Sequence, residues 1–115
     1  MFDLHDEYVR KAQVVRVVDG DTVDFRIDLG WNLSMVERCR LLDVDTPEIR
    51  GRERPQGLEY KEFVINWLSA YEYYWIRSRK YKSGKYGRTL TDIYNPDGEH
   101  LNQVLREKMR EDGIT

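Results

Sequence analysis

At 115 residues the chain is long enough for one domain with a modest core and too short for two. A hydrophobic share of 40% with 12% aromatics is that of a globular protein, and its 35% of charged residues nearly cancel, to a net charge of -2. That balance excludes a global basic footprint for nucleic acid, so polyanion binding has to be local. Cys39 is the single cysteine, which excludes an intrachain disulfide and removes the signature of an oxidising compartment. The start, Met-Phe-Asp-Leu-His-Asp-Glu, carries acids where a signal peptide needs a basic start and an apolar run. No run is long and apolar enough to span a membrane. The expectation is a cytoplasmic protein.

Tyr8 to Val18 is rich in valine and runs into Asp19-Gly20, which predicts a first strand and a tight connection. From Thr22 to Leu29 the residues alternate, with Val23, Phe25, Ile27 and Leu29 on one face and Asp24, Arg26 and Asp28 on the other. This predicts a half-buried second strand with Asp21 at its start. Asp-Gly-Asp-Thr at that point reads as a ligand-bearing turn or as a plain hairpin turn; it does not fit the calcium loop of an EF-hand, whose glycine comes sixth. Gly30 to Ser34 reads as a turn, and Met35 to Leu42 as a third strand with Cys39 and Leu41 facing inward. Cys39 then reads as a small buried hydrophobe rather than a reactive thiol. Arg38 and Arg40 share the opposite face.

Arg40 to Glu48, Arg-Leu-Leu-Asp-Val-Asp-Thr-Pro-Glu, concentrates an arginine and several oxygen donors just past that strand. Pro47 fixes its own φ and pushes Thr46 towards extended geometry, so the strand end delivers Asp45, Thr46 and Glu48 together. Carboxylates, a hydroxyl and carbonyls held close are hard donors, which suit calcium or magnesium better than zinc. A polar turn with solvated acids is the competing reading.

Ile49 to Arg54 is a basic loop, and Pro55 is placed as the first residue of a helix. Tyr60, Phe63, Val64, Trp67, Leu68 and Tyr71 recur at helical spacing, which predicts an amphipathic helix packed on the sheet. Tyr73 to Arg79 has the β propensity of a fourth strand. Between Arg79 and Arg88, Tyr81 and Tyr86 are interleaved with lysines and arginines. Cations that follow phosphates and rings that stack on bases suit a single-stranded nucleic acid, with Lys85 and Tyr86 as substrate-binding residues; a solvated hairpin loop is the alternative. Leu90 to Tyr94 reads as a fifth strand and Asn95 to Gly98 as a type I turn. Leu101, Val104, Leu105 and Met109 stripe a second helix, followed by a polar tail, and His5 and His100 read as surface residues. Five short strands with a helix between the third and fourth follow the order of an OB-type barrel, mainly β with helices (α+β), in a single domain.

Three of these stretches in this order, Val-Val-Asp-Gly-Asp-Thr at Val17 to Thr22, Arg40 to Glu48, and Gly-Lys-Tyr-Gly-Arg at Gly84 to Arg88, resemble the staphylococcal (thermonuclease-type) nuclease family. The resemblance runs from about Val9 to Met109. It implies the five-stranded OB-type barrel and a calcium-dependent endonuclease that hydrolyses phosphodiester bonds of DNA and/or RNA with little sequence preference, single strands being cut best. Carried over residue by residue, it implies metal ligands at Asp21, Asp45 and the Thr46 carbonyl, with Ca2+ as the cofactor. It further implies phosphate-binding catalytic arginines at Arg40 and Arg88, and an acid-base carboxylate at Glu48. Asp43 departs from the family pattern, which has an apolar or small residue there; it either adds negative charge near the metal or faces solvent. The archetype's next helix, with its nucleotide-contacting tyrosines, has no counterpart here, which implies weaker substrate contact. The missing leader departs from the family's secreted archetype and implies an internal bacterial or phage protein; with no obligate protein partner evident, a monomer is expected. A catalytically inactive nucleic-acid-binding module and an adaptor using the same barrel are the rival functions. The first requires the loss of a site residue, and none is lost.

Overall fold

A computed structural model describes residues 8–83 and 89–114, with backbone only for 79–83. Lys85, Tyr86, Arg88 and His5 therefore lie outside the described residues. The elements are β1 (Val9–Asp19), β2 (Thr22–Gly30), β3 (Leu33–Leu41), a 3-10 turn (Gly51–Glu53), α1 (Arg54–Trp67), β4 (Tyr74–Ser83), β5 (Thr89–Tyr94) and α2 (Leu101–Glu111). The strands close into a barrel in the order β1-β2-β3-β5-β4. Neighbours are antiparallel except β3 and β5, which run parallel at Cys39 to Leu41. This is the expected OB-type barrel, with one helix between β3 and β4 and one at the end. No helix among the described residues is long and apolar enough to cross a membrane.

The period-two pattern of β2 places Val23 and Phe25 in the core at 0% exposure, where they meet Cys39, Tyr60 and Ile93. Register shifts in β1 between Val14 and Arg16 and between Val17 and Asp19 increase its bend. One strand can thereby pair with β2 along its length and with β4 at Val9 to Ala12.

The β2–β3 connection is tighter than the sequence suggests. Gly30 pairs with Leu33, which leaves a two-residue loop, Trp31-Asn32, with both φ angles positive at 55° and 61°. Such a loop has the twist that joins two right-twisted strands, so Leu33 and Ser34 become strand residues instead of turn residues. The hairpin also overshoots the barrel. Leu29, expected to face the core, is 44% exposed, and Trp31 at the tip is 95% exposed.

Helix α1 ends at Trp67, short of the expected Tyr71. The Ser69 hydroxyl and the Ser69 amide both donate to the Asn66 carbonyl, which takes that carbonyl out of the helix ladder. Leu68 and Tyr71 still pack on the core, from the loop. Asn95 to Gly98 forms its turn, with the Gly98 amide donating to the Asn95 carbonyl at 3.0 Å.

Helix α2 buries Leu101, Leu105 and Met109 as its stripe predicts, and Asn102 with them at 0% exposure. Asn102 Oδ1 accepts from the Ile93 amide, while Nδ2 donates to the carbonyls of Leu42 and Thr91. One side chain thus joins α2, β5 and the end of β3. His100 is not a plain surface residue: its ring stacks on Tyr94 at 4.6 Å, and Nε2 lies 2.9 Å from the buried carboxylate of Asp92.

Candidate active site

Pairing of β2 with β3 sets Thr22 opposite Arg40, and the Leu41 amide donates to the Asp21 carbonyl at 2.9 Å. The turn that starts β2 and the segment that leaves β3 are therefore side by side. Past Leu41 the chain bends sharply. Asp43 takes φ 58°, a left-handed conformation that aspartate tolerates better than most residues. The bend is pinned through both backbone groups of Leu42: its amide donates to the Thr91 carbonyl, and its carbonyl accepts from Asn102 Nδ2 at 3.1 Å and Arg106 NH1 at 3.3 Å. Asp43 itself is exposed.

Arg40 occupies the centre. Its NH1 donates to the Val44 carbonyl at 2.9 Å and lies 3.1 Å from Asp21 Oδ2, and its NH2 lies 3.3 Å from Asp45 Oδ1. A planar guanidinium can hold two carboxylates and a carbonyl at once because its donors diverge in one plane. The two carboxylates differ in environment. The Asp21 side chain is 8% exposed and that of Asp45 is 92% exposed. Asp21 is further held by the Thr22 hydroxyl on Oδ1 at 3.0 Å and by the Thr46 amide on Oδ2 at 3.1 Å. Thr46 is buried at 4% exposure, and its Oγ1 has no hydrogen-bond partner among the described residues. It lies directly over Gly20, where a Cβ would come within 2.7 Å of Oγ1. Only glycine allows that approach.

Glu48 ends the acidic turn as an exposed carboxylate. Its electrostatic neighbour is Asp19, a residue the sequence reading absorbed into the turn. Burial pushes the Asp19 carboxyl above its ordinary value of 3.8, and the charges of Asp21 and Glu48 push it further up. The Gly20 amide, which donates to Asp19 Oδ1 at 2.7 Å, and Arg40 pull the other way. Asp19, Asp21, Glu48 and Arg40 therefore share one field. The doublet Asp19-Gly20-Asp21 was the signal for the missed residue. The Cys39 thiol is pushed up to about 12, first by burial and then by Glu37 and Asp24, so it is no nucleophile.

The structure thus brings Asp21, Arg40, Asp45 and Thr46 together, with Glu48 beside Asp19 at the edge. Among the described residues no group of three histidine, cysteine or acidic side chains is gathered closely enough to hold a metal. What is present is a pair of carboxylates converging on one guanidinium, plus a buried threonine oxygen without a partner. The two carboxylates are hard oxygen donors, of the kind that suits calcium or magnesium.

The model of the family described as staphylococcal nuclease homologue matches residues 38–114. A protein of Escherichia coli O157:H7 named as an uncharacterised endonuclease is 29% identical over 94 residues, which make up 82% of this chain and 54% of that protein. An uncharacterised protein of Methanocaldococcus jannaschii is 35% identical over 81 residues, 70% of this chain and 34% of that one. The Escherichia coli protein ParB is 28% identical over 90 residues, 73% of this chain and 41% of its own length. The chain spans about half, or less, of the curated relatives it matches. The matched stretch contains the whole turn from Arg40 to Glu48 but starts after Asp21, which the barrel itself returns to Arg40. By that match, over more than half of its length, the chain belongs to the staphylococcal nuclease homologue family.

Proposed function

We propose that the chain is a calcium-dependent nuclease domain that hydrolyses phosphodiester bonds of DNA and/or RNA, with little sequence preference and with single strands cut best. The observation that carries this reading is the Arg40 guanidinium, held at the barrel end between Asp21 and Asp45 with its donors in one plane. Attack on phosphorus builds negative charge on the phosphoryl oxygens, so the site needs positive charge fixed in advance where those oxygens will lie. Arg40 supplies it as two parallel donors, a geometry that lysine lacks. Arg88 is the second phosphate-binding arginine, and Lys85 and Tyr86 contact the substrate strand.

Glu48 orients the attacking water and takes its proton, a role open to an exposed carboxylate next to the site. Asp21, Asp45 and the Thr46 carbonyl hold the Ca2+. When bound, the ion adds charge neutralisation at the phosphate. Asp21 is fixed by Thr22, Thr46 and Arg40, whereas Asp45 is held by Arg40 alone at 92% exposure and is the ligand with more room to adjust.

The test is degradation of a single-stranded oligodeoxynucleotide by purified protein with Ca2+, with chelator, and with Mg2+. Cleavage with Ca2+ that stops on chelation supports the assignment. Mg2+, with its stricter octahedral demand, should support little turnover. Full activity in chelator contradicts the metal assignment, and binding of the oligonucleotide without any cleavage contradicts the enzyme.

A further inference from the structure

Gly57 lies in the first turns of α1 and is buried, yet its φ is not positive. Nothing in the backbone conformation there calls for glycine, and a helix prefers alanine. The reason is on the neighbouring chain. A Cβ at Gly57 would sit 2.1 Å from the Glu48 carbonyl oxygen, 2.5 Å from its carbonyl carbon and 2.9 Å from the Ile49 nitrogen, where real Cβ atoms essentially never come under 3.0 Å. All three obstacles are backbone, so no side-chain rotation relieves them. Either the helix or the Glu48–Ile49 peptide has to move.

The helix is the less free of the two. Tyr60 and Val64, on its buried face, are both at 0% exposure, and the Tyr60 hydroxyl donates to Asp112 Oδ2 at 2.6 Å. A second glycine closes the other side of the turn: a Cβ at Gly20 would meet Thr46 Oγ1 at 2.7 Å and the Tyr60 Cβ at 3.0 Å. The segment from Thr46 to Ile49 is thus pressed between the β1–β2 turn and α1, with Gly20 under Thr46 and Gly57 under Glu48. The Glu48 carboxylate projects from a backbone whose resting place the bare Cα of Gly57 defines.

We infer that Gly57 is a positioning residue for Glu48, one that acts through the backbone and never touches substrate. This rests on the acid-base role given to Glu48 above. A role in stability alone would lower the melting temperature of Gly57→Ala and leave the turnover of the folded molecules intact. A positioning role lowers turnover in molecules that are folded.

The experiment is a double-mutant cycle of Gly57→Ala with Glu48→Gln, read as steady-state hydrolysis of a single-stranded oligodeoxynucleotide with Ca2+. Each variant is first shown by circular dichroism to be folded at the assay temperature, with trimethylamine N-oxide added to all samples where one needs it. Gly57→Ala should lower kcat by at least about tenfold with KM within about threefold, and should cost nothing further in the Glu48→Gln background. Gln56→Ala, exposed on the same helix, should behave as wild type. If Glu48→Gln is slow while Gly57→Ala turns over normally, or if the two losses simply add, the positioning role is wrong and the function stands. If the wild-type protein does not cleave, or Glu48→Gln cleaves as fast as wild type, the reading of Glu48 fails and takes this inference with it.

Discussion

Arg40 ties together groups of very different worth. Its pairing with Asp21 is largely buried, so removal of the guanidinium leaves a mostly buried carboxylate without its charge partner. Arg40→Ala should therefore destabilise the protein by about 2–3 kcal/mol in urea melts. Asp45→Ala, which removes a solvent-screened partner at 92% exposure, should change stability by less than about 0.5 kcal/mol. Equal effects would mean that Arg40 is not anchored on Asp21. Arg40→Lys should keep the fold and lower turnover by at least about tenfold, since the charge remains but the planar donors go. Asp19 gives a pH-dependent test. Its folded carboxyl titrates above the ordinary 3.8, so the folded state holds more proton than the unfolded chain between those values. Its contribution to stability is whole below 3.8 and is lost as pH rises through the folded value. Asp19→Asn should raise Tm at pH 7 and leave it unchanged near pH 3; a lower Tm at pH 7 would show that the charge is needed for folding. Strand and proline chemistry made Arg40, Asp45, Thr46 and Glu48 legible as one local stretch, whereas Asp21 was named through the family resemblance and reaches them only by the pairing of β2 with β3. Asp19 was hidden because an aspartate before glycine is equally an ordinary turn residue.

Among the elements, the β2–β3 hairpin departs furthest from its sequence pattern. Alternation at Val23, Phe25 and Ile27 is legible, but nothing local says where the barrel ends, and Leu29 continues the pattern beyond it into solvent. Trp31 holds φ 55° with its side chain 95% exposed. Left-handed backbone costs a bulky residue more than asparagine, and no burial is lost on replacement. Trp31→Asn should raise stability by about 0.5–1 kcal/mol in a thermal melt, whereas a fall would show that the indole is held by contacts in the folded protein. Helix α2 shows the reverse case. Its apolar stripe was legible, while Asn102, a polar residue between two of them, drew no reading from the sequence and sits in the core with Leu42, Thr91 and Ile93 as partners. Asn102→Ala orphans the Ile93 amide and loosens the bend that carries the acidic turn. It should cost about 3 kcal/mol, and a loss under about 1 kcal/mol would mean that water replaces the amide.

For the whole molecule, strand number, the sequence of elements along the chain and the place of the helix between β3 and β4 were legible, because each strand carries its own short pattern and turn; the parallel pairing of β3 with β5 is set by closure of the barrel and leaves no local signal. A near-neutral chain of net charge -2 can serve a polyanion only through a local site, and the barrel assembles one at the mouth where β2 starts and β3 ends. There Arg40 pairs with both Asp21 and Asp45 in the free protein, one positive charge against two negative ones. A phosphate that draws on Arg40 and a cation that takes over the carboxylates should therefore bind in concert. A thermal melt with Ca2+, with a nucleoside bisphosphate, and with both reads this directly. At about a hundred times its Kd, a ligand that binds only the folded state contributes roughly 2.7 kcal/mol, a rise of several degrees for a domain of this size. Binding in concert gives a larger shift from the two ligands together than from the sum of each alone, and loss of that excess in Asp21→Ala. A melting temperature unmoved by Ca2+ and bisphosphate together at millimolar concentration would contradict it.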